Sequence, residues 1–382
     1  MTLRSTFLVI LAASHAWFAG SHARAAELSR PLAAIAGVGA EGAGHQEAIA
    51  AWKVVVAADP AQLGEILAAL DTANPLAANW LHAAIDAIAE RALDSNDAST
   101  AARLESFLRD VKHTPRARRL AFDWLCRFEP TASDRLVPTF VDDPSTELRR
   151  EAISRLMDDA ATAARGDELA AASALYQQAF TAARDLDQIK TCQEELKKLG
   201  VTVDLPRHFG FIVTWKLIGP FDNTAGVGFD KVYPPEESID PTAKHDGKKG
   251  QVAWIDHTTT DEYGMVDLNT ALGKENGAAA YAVAEFLSPT DQPVDIRVGC
   301  ICACKVWLNG QLIDSHEAYH SGTQVDQYIA KGTLTPGRNT IMVKVCQNEM
   351  TEAWAQDWQF QLRVCDEIGT AVLSQDRLPG DR

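Results

Sequence analysis

The sequence predicts a two-domain α + β chain, a short α-solenoid followed by an antiparallel β-sandwich. Three observations carry that expectation. Residues 45–200 are rich in Ala, Leu and Arg, with apolar positions at helical spacing. Past Leu205-Pro206 the stripes stop, and Trp, Gly, Pro and alternating β-branched residues take over. Within that second half, KVWLNG (Lys305 to Gly310) places Val306 and Leu308 on one strand face and Lys305 and Trp307 on the other, then adds an Asn-Gly pair suited to a tight hairpin.

From the N-terminus, the first 25 residues combine an early Arg4, an apolar run from Phe7 to Ala13 and a small-x-small end at Ala23-Arg24-Ala25, the pattern of a secretory signal peptide cleaved before Ala26. No later run reaches the roughly 20 apolar residues of a spanning helix, and no Cys precedes Cys126. An exported protein, periplasmic or extracellular and without a membrane span, is therefore expected. The formal net charge of −16 becomes −18 once Arg4 and Arg24 leave with the signal. Such an acidic chain is poorly suited to nucleic acid or anionic lipid. Residues 26–44 read as a Gly/Ala-rich linker.

In the helical half, Asp59-Pro60, Asn74-Pro75, Thr114-Pro115 and Asp143-Pro144 each set a capping side chain before a proline at the first helical position. Leu81, Ile85, Ile88 and Ala92 form one buried stripe, and Leu104, Leu108 and Val111 another. Two helix starts share an Arg-Arg-x-Ala step: Arg118-Arg119-x-Ala121 and Arg149-Arg150-x-Ala152 lie 31 residues apart. The second copy, FVDDPSTELRREAISRL, resembles a HEAT-type repeat, in which an Asp before the helix and an Arg inside it tie neighbouring repeats together; the resemblance assigns those places to Asp143 and Arg149. Asp167 to Asp185 and Asp187 to Leu199, with Ala172, Tyr176 and Ala179 in series, resemble a tetratricopeptide hairpin. Most of the arginines read as a solvated, ion-paired ladder, and Trp80, Trp124 and Phe128 as core. Helix pairs of this kind cannot bury their apolar faces alone and must stack.

In the β half (205–370), strands are expected at Phe211–Leu217, Gln251–Ile255, Ala280–Leu287, Val294–Val298, Lys305–Leu308, Gln311–Asp314, Gln327–Ile329, Thr340–Val345 and Trp358–Val364. Ile341, Val343 and Val345 should face the core, as should Phe360, Leu362 and Val364. Residues 371–382 read as a flexible tail. WKLIGPFDN (Trp215 to Asn223), GFDKVYPPE (Gly228 to Glu236), KVWLNG and PGRNTIMVKV (Pro336 to Val345) together resemble the galactose-binding-like jelly roll, the sugar-binding module of glycoside hydrolase family two and of many carbohydrate-binding modules. Such modules often carry an acidic loop before the strand equivalent to KVWLNG. This chain has Cys300, Ile301, Cys302, Ala303 and Cys304 there. Helical repeats followed by such a sandwich also look like exported bacterial proteins of uncharacterised activity.

Chemistry-bearing motifs are few. HEAYH, His316 to His320, satisfies HExxH, but two histidines four apart converge on zinc only on a helix, and a hairpin strand ending near Asp314 leaves no room for one. The segment reads as a surface loop, with Glu317 as an ordinary loop acid and no metal. Cys300, Cys302 and Cys304 could enter a disulfide with Cys346 or Cys365, remain buried thiols, or hold a metal, in that order of preference. In QNEMTEAWAQDWQF, Trp354 and Trp358 sit with Gln356 and Asp357, and Glu352 lies beside them. Indole faces with planar amides and acids suit sugar rings, so these four residues form the candidate ligand site. One Trp capping the core is the competing expectation. No nucleophile elbow, phosphate loop or marked carboxylate pair stands out, and no cofactor is expected. The first expectation is a non-catalytic binding protein whose sandwich contacts carbohydrate or another exported protein, with the helices as scaffold. The alternatives are a zinc-dependent or glycan-active hydrolase and a purely structural protein–protein scaffold.

Overall fold

The computed structural model describes residues Leu28–Arg377; the expected signal peptide lies outside them. The chain divides into two compact units between Ala183 and Arg184. That division falls between α9 (Leu169–Ala182) and α10 (Leu186–Lys198), the two helices that resemble a tetratricopeptide hairpin.

The first unit is helical. The expected linker is not wholly linker: residues 28–36 form a helix, α1, and bury Leu28, Leu32 and Ile35, a spacing of four and three that puts all three on one face. There follow α2 (His45–Val56), α3 (Leu63–Ala68), α4 (Pro75–Asp94), α5 (Ala98–Arg109), α6 (Pro115–Phe128), α7 (Ala132–Leu136) and α8 (Thr146–Arg165). Leu81, Ile85, Ile88 and Ala92 of α4 are fully buried. At about 1.5–3 kcal/mol for each large aliphatic side chain, this stripe dominates the hold on α4. Val111 is a correction: α5 stops at Arg109, which carries Val111 off the helical face to 58% exposure.

The proline starts differ in detail. Asn74 caps α4 by accepting from the Leu76 and Ala77 amides at 2.9 Å each, and Asp59 accepts from Ala61 at 2.9 Å. Thr114 makes no cap; its amide and hydroxyl both donate to Asp71 instead, at 2.8 and 3.0 Å. Asp143 is likewise not the cap of α8, a place Ser145 takes. Its carboxylate is occupied by a bidentate bond from Arg118 of α6, 2.7 Å to each oxygen, while Arg149 donates to the Asp143 carbonyl at 2.7 Å. Both arginines are 2% exposed, so the Arg-x-x-Ala step marks interior ties and not the solvated ladder. Arg119, with Asp123 and Glu151, and Arg135, with Glu105 and Glu129, do form that ladder.

The second unit opens with α10 and α11 (Leu205–Phe209) and is otherwise built on antiparallel sheets. Its strands are β1 (Thr214–Asp222), β2 (Lys244–Gly247), β3 (Gly250–Ala253), β4 (Ile255–Thr258), β5 (Val266–Asp267), β6 (Ala278–Ser288), β7 (Gln292–Cys300), β8 (Ala303–Leu308), β9 (Gln311–His316), β10 (Tyr328–Leu334), β11 (Gly337–Cys346) and β12 (Gln359–Cys365). A six-stranded sheet runs β4-β1-β6-β11-β8-β9, a four-stranded sheet β10-β7-β12-β5, and β2-β3 forms a separate ribbon.

Period-2 alternation sorts the side chains. Ile341, Val343 and Val345 from the large sheet and Phe360, Leu362 and Val364 from the small one share one apolar core. Trp307, Met342, Tyr281 and Phe221 face the other way, under the segment that carries Phe229 and Tyr233. KVWLNG behaves as its pattern requires: Val306 and Leu308 lie in the inter-sheet core, Trp307 on the reverse face, and Asn309 and Gly310 take φ of 52° and 79°.

Several strand bounds differ from expectation. β1 runs on through Gly219-Pro220, a cis peptide, because a register shift between Ile218 and Phe221 absorbs the proline. The Gln251–Ile255 stretch is split at Trp254 into β3 and β4, which join different sheets. β2 and β5 were not expected; both are short, and β2 is polar. Ala371–Arg377 is not a free tail: Ala371 bridges Cys365, and the buried Ser374 hydroxyl accepts from the Leu287 amide at 2.9 Å.

Candidate functional site

Three loops of the second unit converge: the turn after β1 (223–226), the segment after β9 (317–322) and the loop joining β11 to β12 (347–358). Asn223 ties them together from a fully buried position. Its Nδ2 donates to the Tyr319 hydroxyl at 3.2 Å and to the Gln347 carbonyl at 2.9 Å. A left-handed Ala225-Gly226 pair (φ 55° and 76°) then turns the chain so that the Ala225 amide donates to the Glu349 carboxylate. Any Cβ added at Gly226 would come within 4.0 Å of Glu317 Oε1 and the Tyr319 hydroxyl, so Glu317 borders the same turn. From the third loop, Asn348 Nδ2 donates to His320 Nε2 at 2.9 Å.

On this base stands Trp354, 63% exposed in a short 3-10 turn, with the His320 ring edge-on at 5.1 Å and 72°. Fixed on one side by an imidazole and open on the other, the indole presents an apolar platform rimmed by polar groups. Tyr319, bonded to Asn223, is half-buried; burial pushes its phenol above the usual range despite that bond. Asp222, at the root of the first loop, is held below the ordinary carboxylate range by the Thr224 hydroxyl.

The sequence-derived ligand residues separate. Trp358 is fully buried and donates to the Val345 carbonyl at 3.2 Å, so it belongs to the inter-sheet core and offers no face to a ligand. Gln356 is spent on the loop itself: its side chain donates to the Thr351 carbonyl, and its carbonyl accepts from Asn269 and Gln347 at 2.8 and 2.9 Å. Asp357 is exposed. Trp354 alone of the two indoles reaches solvent: Trp358 adjoins β12 and continues the inward parity of Phe360 and Leu362, whereas Trp354 stands in a 3-10 turn outside the strand. His320, Asn348 and Glu349 were missed as neighbours of the platform, since no local spacing connects residue 320 to residue 348.

The HEAYH pair does not act together. His316 ends β9, stacked on Tyr328 at 3.7 Å and 12° with its Nε2 2.7 Å from Asp314, whereas His320 turns into the loop at φ 59° toward Asn348 and Trp354. The motif lies on a strand and a loop, where residues i and i+4 do not share a helical face. Among the described residues no group of three His, Cys, Asp or Glu is placed to hold a metal.

All seven cysteines are free thiols. Pairing of the 300–304 group with Cys346 or Cys365 is corrected by facing: Cys300, Cys302 and Cys304 lie between the sheets, Cys346 on the reverse face of the large sheet, and Cys365 on the outward parity of β12. Burial pushes the Cys346 thiol up to about 12 and the Cys365 thiol to about 11, and raises Cys300 and Cys302 as well.

No family model matches the chain. No curated protein matches it either. Among solved structures, β-glucosidase from Kluyveromyces marxianus in complex with glucose is similar over 23% of this chain and 11% of its own length, at 15% identity and a TM-score of 0.19. A β-glucuronidase from Faecalibacterium prausnitzii matches 36% of this chain and 21% of its own, at 22% identity and a TM-score of 0.21. A family 35 carbohydrate binding module from Clostridium thermocellum is covered over 99% of its length and matches 28% of this chain, at 11% identity and a TM-score of 0.17.

Proposed function

We propose that this is an exported binding protein whose second unit, a jelly-roll sandwich of galactose-binding-like type, holds a glycan against Trp354, with the first unit as a HEAT-like scaffold. The observation that carries this reading is the exposed indole, 63% accessible on a loop pinned by Asn223, Asn348 and Glu349 to two others. A large aromatic ring held open on a braced loop is available to a ligand without rearrangement of the loop. Sugar C–H faces cover indoles well, while the surrounding amide and carboxylate groups supply hydrogen-bond partners for hydroxyls.

The experiment is a glycan array on the secreted protein and on Trp354→Ala. Wild-type binding to a discrete set of glycans, lost in the variant, supports the reading. Capture of an exported protein through this loop without any glycan signal would move the site to protein recognition.

A further inference from the structure

The charges around the indole narrow what it accepts. Each of the two loops that hold the platform brings acids: Glu317 beside the 225–226 turn, then Glu349 and Glu352 flanking Met350 and Thr351, and Asp357 beyond the platform. All four are exposed. The adjoining cation, Lys248, is already engaged: its ammonium donates to the Asn276 and Gly277 carbonyls at 2.6 and 2.5 Å and lies 3.6 Å from Asp222. An incoming carboxylate or sulfate would meet carboxylates at this rim and would have to displace two backbone bonds to reach Lys248.

We propose that the Trp354 surface takes neutral or amino-bearing sugar chains and rejects uronate- or sulfate-bearing ones. The inference rests on the glycan reading and adds a charge rule to it. At exposed positions each carboxylate contributes about two- to five-fold to the affinity for a protonated amino sugar, and salt screens that share within about 10 Å.

The test titrates the full secreted chain with three soluble probes, a neutral β-glucan oligomer, a chitosan oligomer and polygalacturonate, at low and physiological salt. The expected order is chitosan tightest and weakened by salt, β-glucan weaker and insensitive to salt, and polygalacturonate not bound. Replacing Glu317 and Glu352 together by Gln should weaken chitosan at least about four-fold and β-glucan by less than about two-fold, because glutamine keeps an oxygen acceptor for hydroxyls but not the charge. Polygalacturonate binding as tightly as β-glucan, or a double variant with unaltered chitosan affinity, overturns the charge rule while leaving a glycan site standing. Chitosan binding that survives Trp354→Ala reports bulk attraction to an acidic protein and overturns the placement. Silence of all three probes removes the glycan reading itself.

Discussion

Replacing Arg118 by Met should cost the helical unit about 3–5 kcal/mol, the range for breaking a buried ion pair by deleting one member. The guanidinium donates to both Asp143 oxygens at 2.7 Å and through Nε to the Leu108 carbonyl at 2.8 Å, and it is 2% exposed. Methionine fills similar volume, so the loss is electrostatic: Asp143, 9% exposed, keeps the Ser145 amide at 2.8 Å but loses the guanidinium that held both its carboxylate oxygens. Arg119 is the control. It pairs with Asp123 and Glu151 but is 31% exposed at the side chain, so Arg119→Met should cost at most about 1 kcal/mol. Urea unfolding followed by far-UV circular dichroism reads the difference. With a slope of about 2 kcal/mol per molar, Arg118→Met should lower the midpoint of the helical transition by roughly 1.5–2.5 M. Adding Asp143→Leu should recover part of that loss by removing the stranded charge. Arg118→Met costing no more than Arg119→Met would refute the view that this pair ties α6 to α8.

Three further outcomes are expected. Trp358→Ala should destabilise the sandwich by about 3–5 kcal/mol, whereas Trp354→Ala should stay within about 0.5 kcal/mol; equal thermal shifts would contradict their opposite burial. Burial alone would raise the Asp326 carboxyl, but Arg363, at 2.6 Å to both oxygens, and then Arg297 at 2.8 Å hold it low. Its contribution to stability is therefore complete above the unfolded aspartate value of about 3.9 and is lost as pH falls through the lowered folded value. Asp326→Asn should be least stable relative to wild type at neutral pH, with the gap closing in acid; a gap constant with pH would contradict the pairing. Native protein at pH 8 should react with a thiol reagent at Cys126 first, since the other six thiols are buried, and unfolding without reductant should expose all seven. Fewer than seven would mean a disulfide.

What the sequence made legible was local. Binary alternation places Ile341, Val343, Val345, Phe360, Leu362 and Val364 in the core and puts Val306 and Leu308 on one shared face, and all eight lie in the inter-sheet core, because period-2 patterning records which face is buried. Helical spacing did the same for α4. What failed depended on distant partners. Asp143 looks like a cap beside Pro144, yet an arginine 25 residues earlier claims its carboxylate. Trp354 and Trp358 look alike in one loop, and only the register of β12 sends one inward. His320 is legible as half of a motif, while its neighbours, Asn348 and Trp354, come from the β11–β12 loop, 28 residues or more further on.

The central claim is that the exposed indole is a ligand platform. Its most direct test is the Trp354 indole N–H signal in a heteronuclear NMR titration of the purified protein with a soluble neutral oligosaccharide. Stacking on one indole face removes about 100 Å² of apolar surface from water, worth about 2.5 kcal/mol, so the signal should shift saturably and Trp354→Ala should bind roughly 60-fold more weakly. A Trp354 signal that stays still while the protein demonstrably binds the sugar would place the site elsewhere.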